Sequence, residues 1–89
     1  KYNLTNIHAA KKSEIKIYPN PVLSELIIDN GQSLMKEVSL YDIMGRKVKQ
    51  FSVNAPSTII DVNDLLNGIY VVKISTASGV FMRKVQIMR

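Results

Sequence analysis

The stretch Gly68-Ile69-Tyr70-Val71-Val72-Lys73-Ile74-Ser75-Thr76 leaves the chain little choice of fold. It is the most apolar run in the sequence and is rich in β-branched and aromatic residues. Asn67-Gly68 precedes it and Ala77-Ser78-Gly79 follows it, so turn signals bound it on both sides. Such a run reads as a central strand. Alternation places Tyr70, Val72 and Ile74 on a core face, and Ile69, Val71, Lys73 and Ser75 on the other. A strand of this kind must be covered, and the rest of the chain supplies the cover.

Glu14-Ile15-Lys16-Ile17-Tyr18 alternates and reads as a first strand, with Ile15 and Ile17 inward. Pro19-Asn20-Pro21 ends it. Two prolines this close lack the N–H groups of a central ladder, so they predict a rigid corner. Ser24–Asp29 is a second strand with Leu26 and Ile28 inward, and Asn30-Gly31 is a turn. Leu34-Met35 is expected to cap one end of the core. Glu37–Tyr41 is a third strand with Val38 and Leu40 inward. Asp42-Ile43-Met44-Gly45-Arg46 predicts a hairpin loop of type I with a bulge. In it Asp42 accepts from a backbone N–H two residues on, and Gly45 takes a positive φ.

The fourth strand, Arg46–Val53, breaks its own alternation, because Val48 falls on one face and Phe51 and Val53 on the other. A β-bulge near Gln50 would reconcile them. Lys47 and Lys49 are expected to point away from Val48 and to discourage edge pairing. Thr58–Val62 is a fifth strand. Asn63–Gly68 predicts one turn of helix, capped by Asn63 or Asp64 and ended by Gly68 in the left-handed region. A type I′ turn at Asn67-Gly68 is the alternative. Val80–Met88 is the seventh strand, with Phe81, Val85 and Ile87 inward. Seven short strands at regular spacing, with no long helix, predict a single all-β domain. The expected form is an antiparallel seven-stranded β-sandwich, immunoglobulin-like, over residues 14–89.

Residues 1–13 show neither alternation nor a helical stripe and read as a flexible leader or linker from a larger protein. They hold Lys1, Lys11 and Lys12 and no acidic residue, so much of the net charge of +5 belongs to them. From Glu14 onward nine basic residues meet seven acidic ones. That balance is not the concentrated basic face of a nucleic-acid reader. His8, the only histidine, lies in the leader, so a Ser-His-acid triad lacks its base and a metal site lacks partners. The chain has no cysteine. Asp61, Asn63 and Asp64 place three oxygen donors close together. They lack the spacing and terminal glutamate of a calcium loop, and turn formation explains them as well. The reading is therefore a non-catalytic domain with no cofactor, no metal and no small-molecule substrate.

Four segments taken together resemble a known family. They are Ile17-Tyr18-Pro19-Asn20-Pro21-Val22, Val38–Arg46 with its Asp42-Ile43-Met44-Gly45-Arg46 loop, Asp61–Ile74 with Gly68-Ile69-Tyr70, and Arg83-Lys84-Val85-Gln86-Ile87. In order and spacing the chain is similar to the C-terminal sorting domain of the type IX secretion system of Bacteroidetes bacteria. The chain departs from the family's common lysine-rich ending, closing instead on Met88-Arg89. The resemblance implies a signal domain at the end of an exported precursor, whose cargo lies N-terminal to it. It implies passage through the periplasm, recognition by an outer-membrane translocon, and removal by a sortase-like cell-surface protease cutting in residues 1–13 or upstream. The residues expected to be read by that machinery are Gly68, Tyr70, Lys84, Val85 and Ile87. Pro19, Asn20, Pro21, Gly45 and Arg46 are matched as turn residues, with Arg46 also able to form a salt bridge. If the last strand lies on an edge, its exchange between two copies is a further expectation. The rival reading is an accessory β-sandwich of an extracellular protein, either a carbohydrate-binding module or a structural spacer. It is weakened by the absence of tryptophan and by the location of Tyr18, Tyr41 and Tyr70 inside strands.

Overall fold

The computed structural model describes residues 15–89. The expected leader, residues 1–13, lies outside the described residues. Seven strands follow in order: β1 (Lys16–Tyr18), β2 (Glu25–Asp29), β3 (Met35–Tyr41), β4 (Lys47–Ala55), β5 (Ser57–Asp61), β6 (Gly68–Thr76) and β7 (Gly79–Ile87). They form a three-stranded sheet of order β1-β2-β5 and a four-stranded sheet of order β4-β3-β6-β7, every pairing antiparallel. The chain crosses between sheets after β2, β4 and β5. That is the Greek-key path of an immunoglobulin-like sandwich.

The core follows the alternation of each strand. Tyr70, Val72 and Ile74 of β6 meet Val38 and Leu40 of β3 and Val85 and Ile87 of β7, against Leu26, Ile28 and Ile60 of the other sheet. Val22 and Val62, just outside the strands, are fully buried with them. β6 lies inside its sheet, between β3 and β7, as its composition requires. Phe81, expected in the core, is only half-buried and stands outside that cluster, because it lies toward the turn end of an edge strand. Met35 opens β3 and is fully buried, whereas Leu34 beside it is exposed, so Met35 alone closes that end of the core.

β4 departs from expectation in register. Tyr41 pairs with Lys47 and Leu40 with Lys49, which leaves Val48 as the extra residue. A second shift falls between the Glu37–Ser52 and Met35–Ala55 pairs, where Asn54 takes a φ of 53°. Bulges therefore sit at both ends of the strand, not near Gln50. Lys49 consequently shares the inner side with Leu40 instead of pointing away. Its side chain is 18% exposed and its Nζ lies 2.9 Å from Asp64. That ion pair stands in for the apolar residue the pattern lacks.

The expected helical turn at Asn63–Gly68 is absent. The Asp61 carboxylate accepts from the Asn63 N–H at 2.8 Å, and the Leu65 N–H bonds the Val62 carbonyl at 3.0 Å. These two bonds close a β-turn one residue earlier than a helix would start. Gly68 instead opens β6, with φ 154°. The Asp42–Arg46 hairpin is formed as expected. Gly45, at φ 85°, donates its N–H to the Asp42 carbonyl at 3.0 Å.

Candidate functional site

Following each strand through its register leads to one end of the sandwich. There β1, β3, β5 and β7 finish, and β2, β4 and β6 begin. The Pro19–Pro21 corner, the Asp42–Arg46 hairpin, the Val62–Asn67 turn and Met88-Arg89 all collect at this end. The opposite end carries the Asn30–Leu34 loop, Pro56 and the Ala77-Ser78 turn. Four segments far apart in the chain thus share one surface.

The terminal strand is fixed there by backbone bonds. Val22 and Ile87 form a parallel bridge: the Val22 N–H donates to Gln86 O at 2.7 Å, and the Met88 N–H donates to Val22 O at 2.9 Å. The Asn20 side chain accepts from the Gln86 N–H at 3.1 Å. Both peptide bonds preceding the prolines, Tyr18-Pro19 and Asn20-Pro21, are cis. The corner therefore does more than turn the chain, because it lies against the last residues of β7 as a short eighth segment.

Arg89 closes the same end. Its guanidinium donates to the carbonyls of Leu23 and Val62, each at 3.1 Å, and to that of Leu65. Its backbone N–H donates to Asn67 Oδ1 at 3.2 Å. One cation thereby satisfies carbonyls from the loops after β1 and β5, which belong to the three-stranded sheet, and ties them to the last residue of this sequence. On the next strand pair, Asp42 Oδ1 accepts from the Met44 and Arg46 N–H groups at 2.9 Å each, and Oδ2 accepts from Arg46 Nε at 2.9 Å. The backbone N–H of Arg46, with its guanidinium and the Met44 N–H, holds the Asp42 carboxyl below its ordinary pKa of 3.8. The Lys49 ammonium does the same for Asp64. The Arg46 side chain is 78% exposed, so its ion pair lies on the rim.

The residues singled out in the sequence are distributed as follows. Gly68 pairs with Ile87, and Tyr70 with Val85, so these four adjoin across β6 and β7. Tyr70, Val85 and Ile87 turn their side chains into the core, and the Tyr70 hydroxyl donates to Leu66 O at 2.7 Å. Lys84 is exposed on the outer face opposite Val71. Pro19, Asn20, Pro21, Gly45 and Arg46 are all exposed. Val22 and Arg89 were not singled out. The signal for Val22 was an apolar residue directly after the prolines, although exposed Leu23 beside it gives the same signal; a lone terminal arginine offers none without its carbonyl partners.

Lys49, Phe51, Asp61, Asn63 and Asp64 line an open cleft of about 240 Å³. Asp61 is occupied with the Asn63 N–H and Asp64 with Lys49, so both carboxylates already serve the turn and its ion pair. Among the described residues no cluster of three metal-ligating side chains occurs. No helix among them is long and apolar enough to cross a membrane.

Comparison with curated proteins gave no match. Among solved structures, the chain is similar to one described as PorZ, an essential bacterial surface component of the type IX secretion system of Porphyromonas gingivalis. The TM-score is 0.73 at 18% identity, over 91% of this chain and 12% of that one. The chain therefore spans a small part of that protein, and the likeness is one of fold. A family model described as the secretion system C-terminal sorting domain matches residues 16–88, nearly all of the described chain. That match spans well over half of the sequence, so the chain belongs to the family of type IX secretion system C-terminal sorting domains.

Proposed function

We propose that this domain is read by the outer-membrane translocon of the type IX system at the end of the sandwich where β7 finishes. The observation that carries the reading is the convergence there of the Pro19–Pro21 corner, the Gly68–Tyr70 start of β6 and the Lys84–Ile87 end of β7. A sorting domain is the tail of a cargo precursor directed to the cell surface, and its family is not catalytic. In this reading Lys84 and the exposed corner are touched by the machinery. Val85, Ile87 and Tyr70 hold that surface in place from beneath, since their side chains are buried. The precursor crosses the periplasm before export. A sortase-like surface protease then separates cargo from domain within residues 1–13 or upstream, and the domain is substrate, not catalyst. Exchange of β7 between two copies fits its edge position.

The test is a reporter carrying an export signal and residues 1–89, expressed in a bacterium with the type IX system. Lys84→Glu together with Asn20→Ala should lower the surface reporter while leaving a folded domain. Mass spectrometry of the released reporter should end within or before residues 1–13. Unchanged export of the double variant, or a cut inside β1–β7, would refute the reading.

A further inference from the structure

The sandwich has four edge strands, β1 and β5 in one sheet and β4 and β7 in the other. Unpaired edges invite association, and folded proteins blunt them with short strands, bulges, proline or inward charge. Three of these edges are blunted. β1 is three residues long and runs directly into Pro19. β5 is five residues long and follows Pro56. β4 carries a register shift at each end and the inward Lys49. β7 is the least blunted: it has no proline and no bulge, its one such device is Arg83, paired with the buried Val72 on the inner side, and its pairing with β6 is regular over nine residues, from Thr76–Gly79 to Gly68–Ile87.

Antiparallel pairing alternates, so every second residue of an edge strand turns its N–H and C=O outward. On β7 the phase is fixed by Gln86, whose N–H goes to Asn20 and whose carbonyl goes to Val22. By the same alternation Val80, Met82 and Lys84 direct their backbone groups to the open edge. The Arg83 guanidinium donates to the Met82 carbonyl at 2.8 Å; among the described residues the Met82 N–H and the backbone groups of Val80 and Lys84 at this edge have no such partner. The Asn20–Val22 segment thus closes the last third of the edge and leaves Val80–Lys84 open. Val80 and Met82 are 54% and 57% exposed, an apolar pair at the rim of the sheet.

Charge selects the occupant. β6 and β7 together contain Lys73, Arg83 and Lys84 and no acidic residue. Lys73 stands opposite Met82 on the outer face, one pair from Lys84. Residues 1–13 carry only basic charge and would be repelled. A second copy aligned edge to edge on β7 would bring two such lysine groups together. We propose that the open half of β7, Val80–Lys84, is a strand-addition site for an extended segment of a partner protein in which acidic and apolar residues alternate. Main-chain bonds to Val80, Lys84 and the Met82 N–H supply the pairing, and the Arg83 guanidinium gives up the Met82 carbonyl to the added strand. Apolar side chains of the segment cover Val80 and Met82, and its carboxylates face Lys73 and Lys84. Assigning this partner to the export machinery rests on the function proposed above; the site itself does not.

The experiment titrates the 89-residue chain with two synthetic nonapeptides, one alternating valine with aspartate and one alternating valine with lysine, followed by amide chemical shifts. The aspartate peptide should shift the amides of Val80, Met82 and Lys84 and leave β4 and β5 unmoved. Met82→Pro should weaken it by at least about tenfold. The Met82 N–H points outward and is not used by the β6 ladder, a position where an edge strand tolerates proline. Lys84→Glu, a surface change, should weaken the aspartate peptide by a similar factor and favour the lysine peptide. The inference is overturned if neither peptide moves these amides, or if the lysine peptide binds the wild-type chain as well. It is equally overturned if a folded Met82→Pro chain retains affinity, or if sedimentation shows a dimer already occupying the edge. Placed in the export fusion, the same variants separate the two readings. Lost peptide binding with intact export supports the site and removes only its assignment to the export machinery.

Discussion

Removing Lys84–Arg89 would unfold the domain. Val85 and Ile87 are 2% and 1% exposed. Burying such side chains contributes about 1.5–3 kcal/mol each, so their loss costs roughly 3–6 kcal/mol. Deletion also strips Gly68 and Tyr70 of their β7 partners, Val22 of its bridge, and three loop carbonyls of Arg89. At about 0.05–0.15 kcal/mol per residue, a domain of this length has roughly 4–13 kcal/mol in total. The deletion therefore removes a large part of the whole. Urea denaturation followed by circular dichroism is the assay. With a slope of about 1–2 kcal/mol per molar urea, the midpoint should fall by roughly 1.5–6 M, or the folded baseline should vanish. Lys84→Ala, which touches only the outer surface, should stay within about 0.5 kcal/mol of the parent. A truncated chain with the parent's midpoint would refute the claim that the end of β7 is structural. It follows that an export defect in such a deletion cannot by itself distinguish a lost contact from a lost fold.

Other perturbations probe the remaining contacts. Arg89→Ala should cost about 1–3 kcal/mol, because three carbonyls lose a charged donor, and should speed hydrogen exchange at Met88. Tyr70→Phe should cost about 1 kcal/mol through the lost bond to Leu66 O, read from the thermal midpoint. Gly45→Ala should destabilise the β3–β4 hairpin by about 1–2 kcal/mol. Its φ of 85° is unfavourable for an L side chain, even though no atom lies within 4 Å of the added Cβ. Asp42 and Asp64 both titrate below 3.8 when folded. The unfolded chain therefore takes up their protons first as pH falls. Their contribution is complete above the ordinary carboxylate range and is lost as pH drops through the folded values. Asp42→Asn with Asp64→Asn should flatten that acid limb in a pH series of urea midpoints.

Local pattern was legible wherever local chemistry decided the outcome. β6 was readable because both its neighbours are strands of the same sheet and its inner face is apolar apart from the Tyr70 hydroxyl and Thr76 at its end. The Asp42–Arg46 hairpin was readable because its bonds join residues at most four apart. The turn after β5 was misread as helical because two of its determinants are remote or backbone-directed. Asp61 captures the Asn63 N–H, and Asn67 is committed to Arg89, 22 residues away. The bulge in β4 was displaced because Lys49 occupies an inner position through Asp64, and an apolar alternation cannot show a lysine inside. The role of Pro19–Val22 as a cover for β7 depends on a bond between residues 66 apart, which no window along the chain contains. The family motifs contain the Pro19–Pro21 corner, the Asp42–Arg46 loop and the end of β7; only the pairing shows that these lie at one end.

The most direct measurement is surface fluorescence of a reporter with an export signal, compared with and without residues 1–89 fused behind it. It is made in a bacterium carrying the type IX system and in a strain whose outer-membrane translocon is deleted. The account predicts reporter at the surface only when the domain and the translocon are both present, and retention in the periplasm otherwise. Surface reporter without the domain, or retention in all four cases, would contradict it.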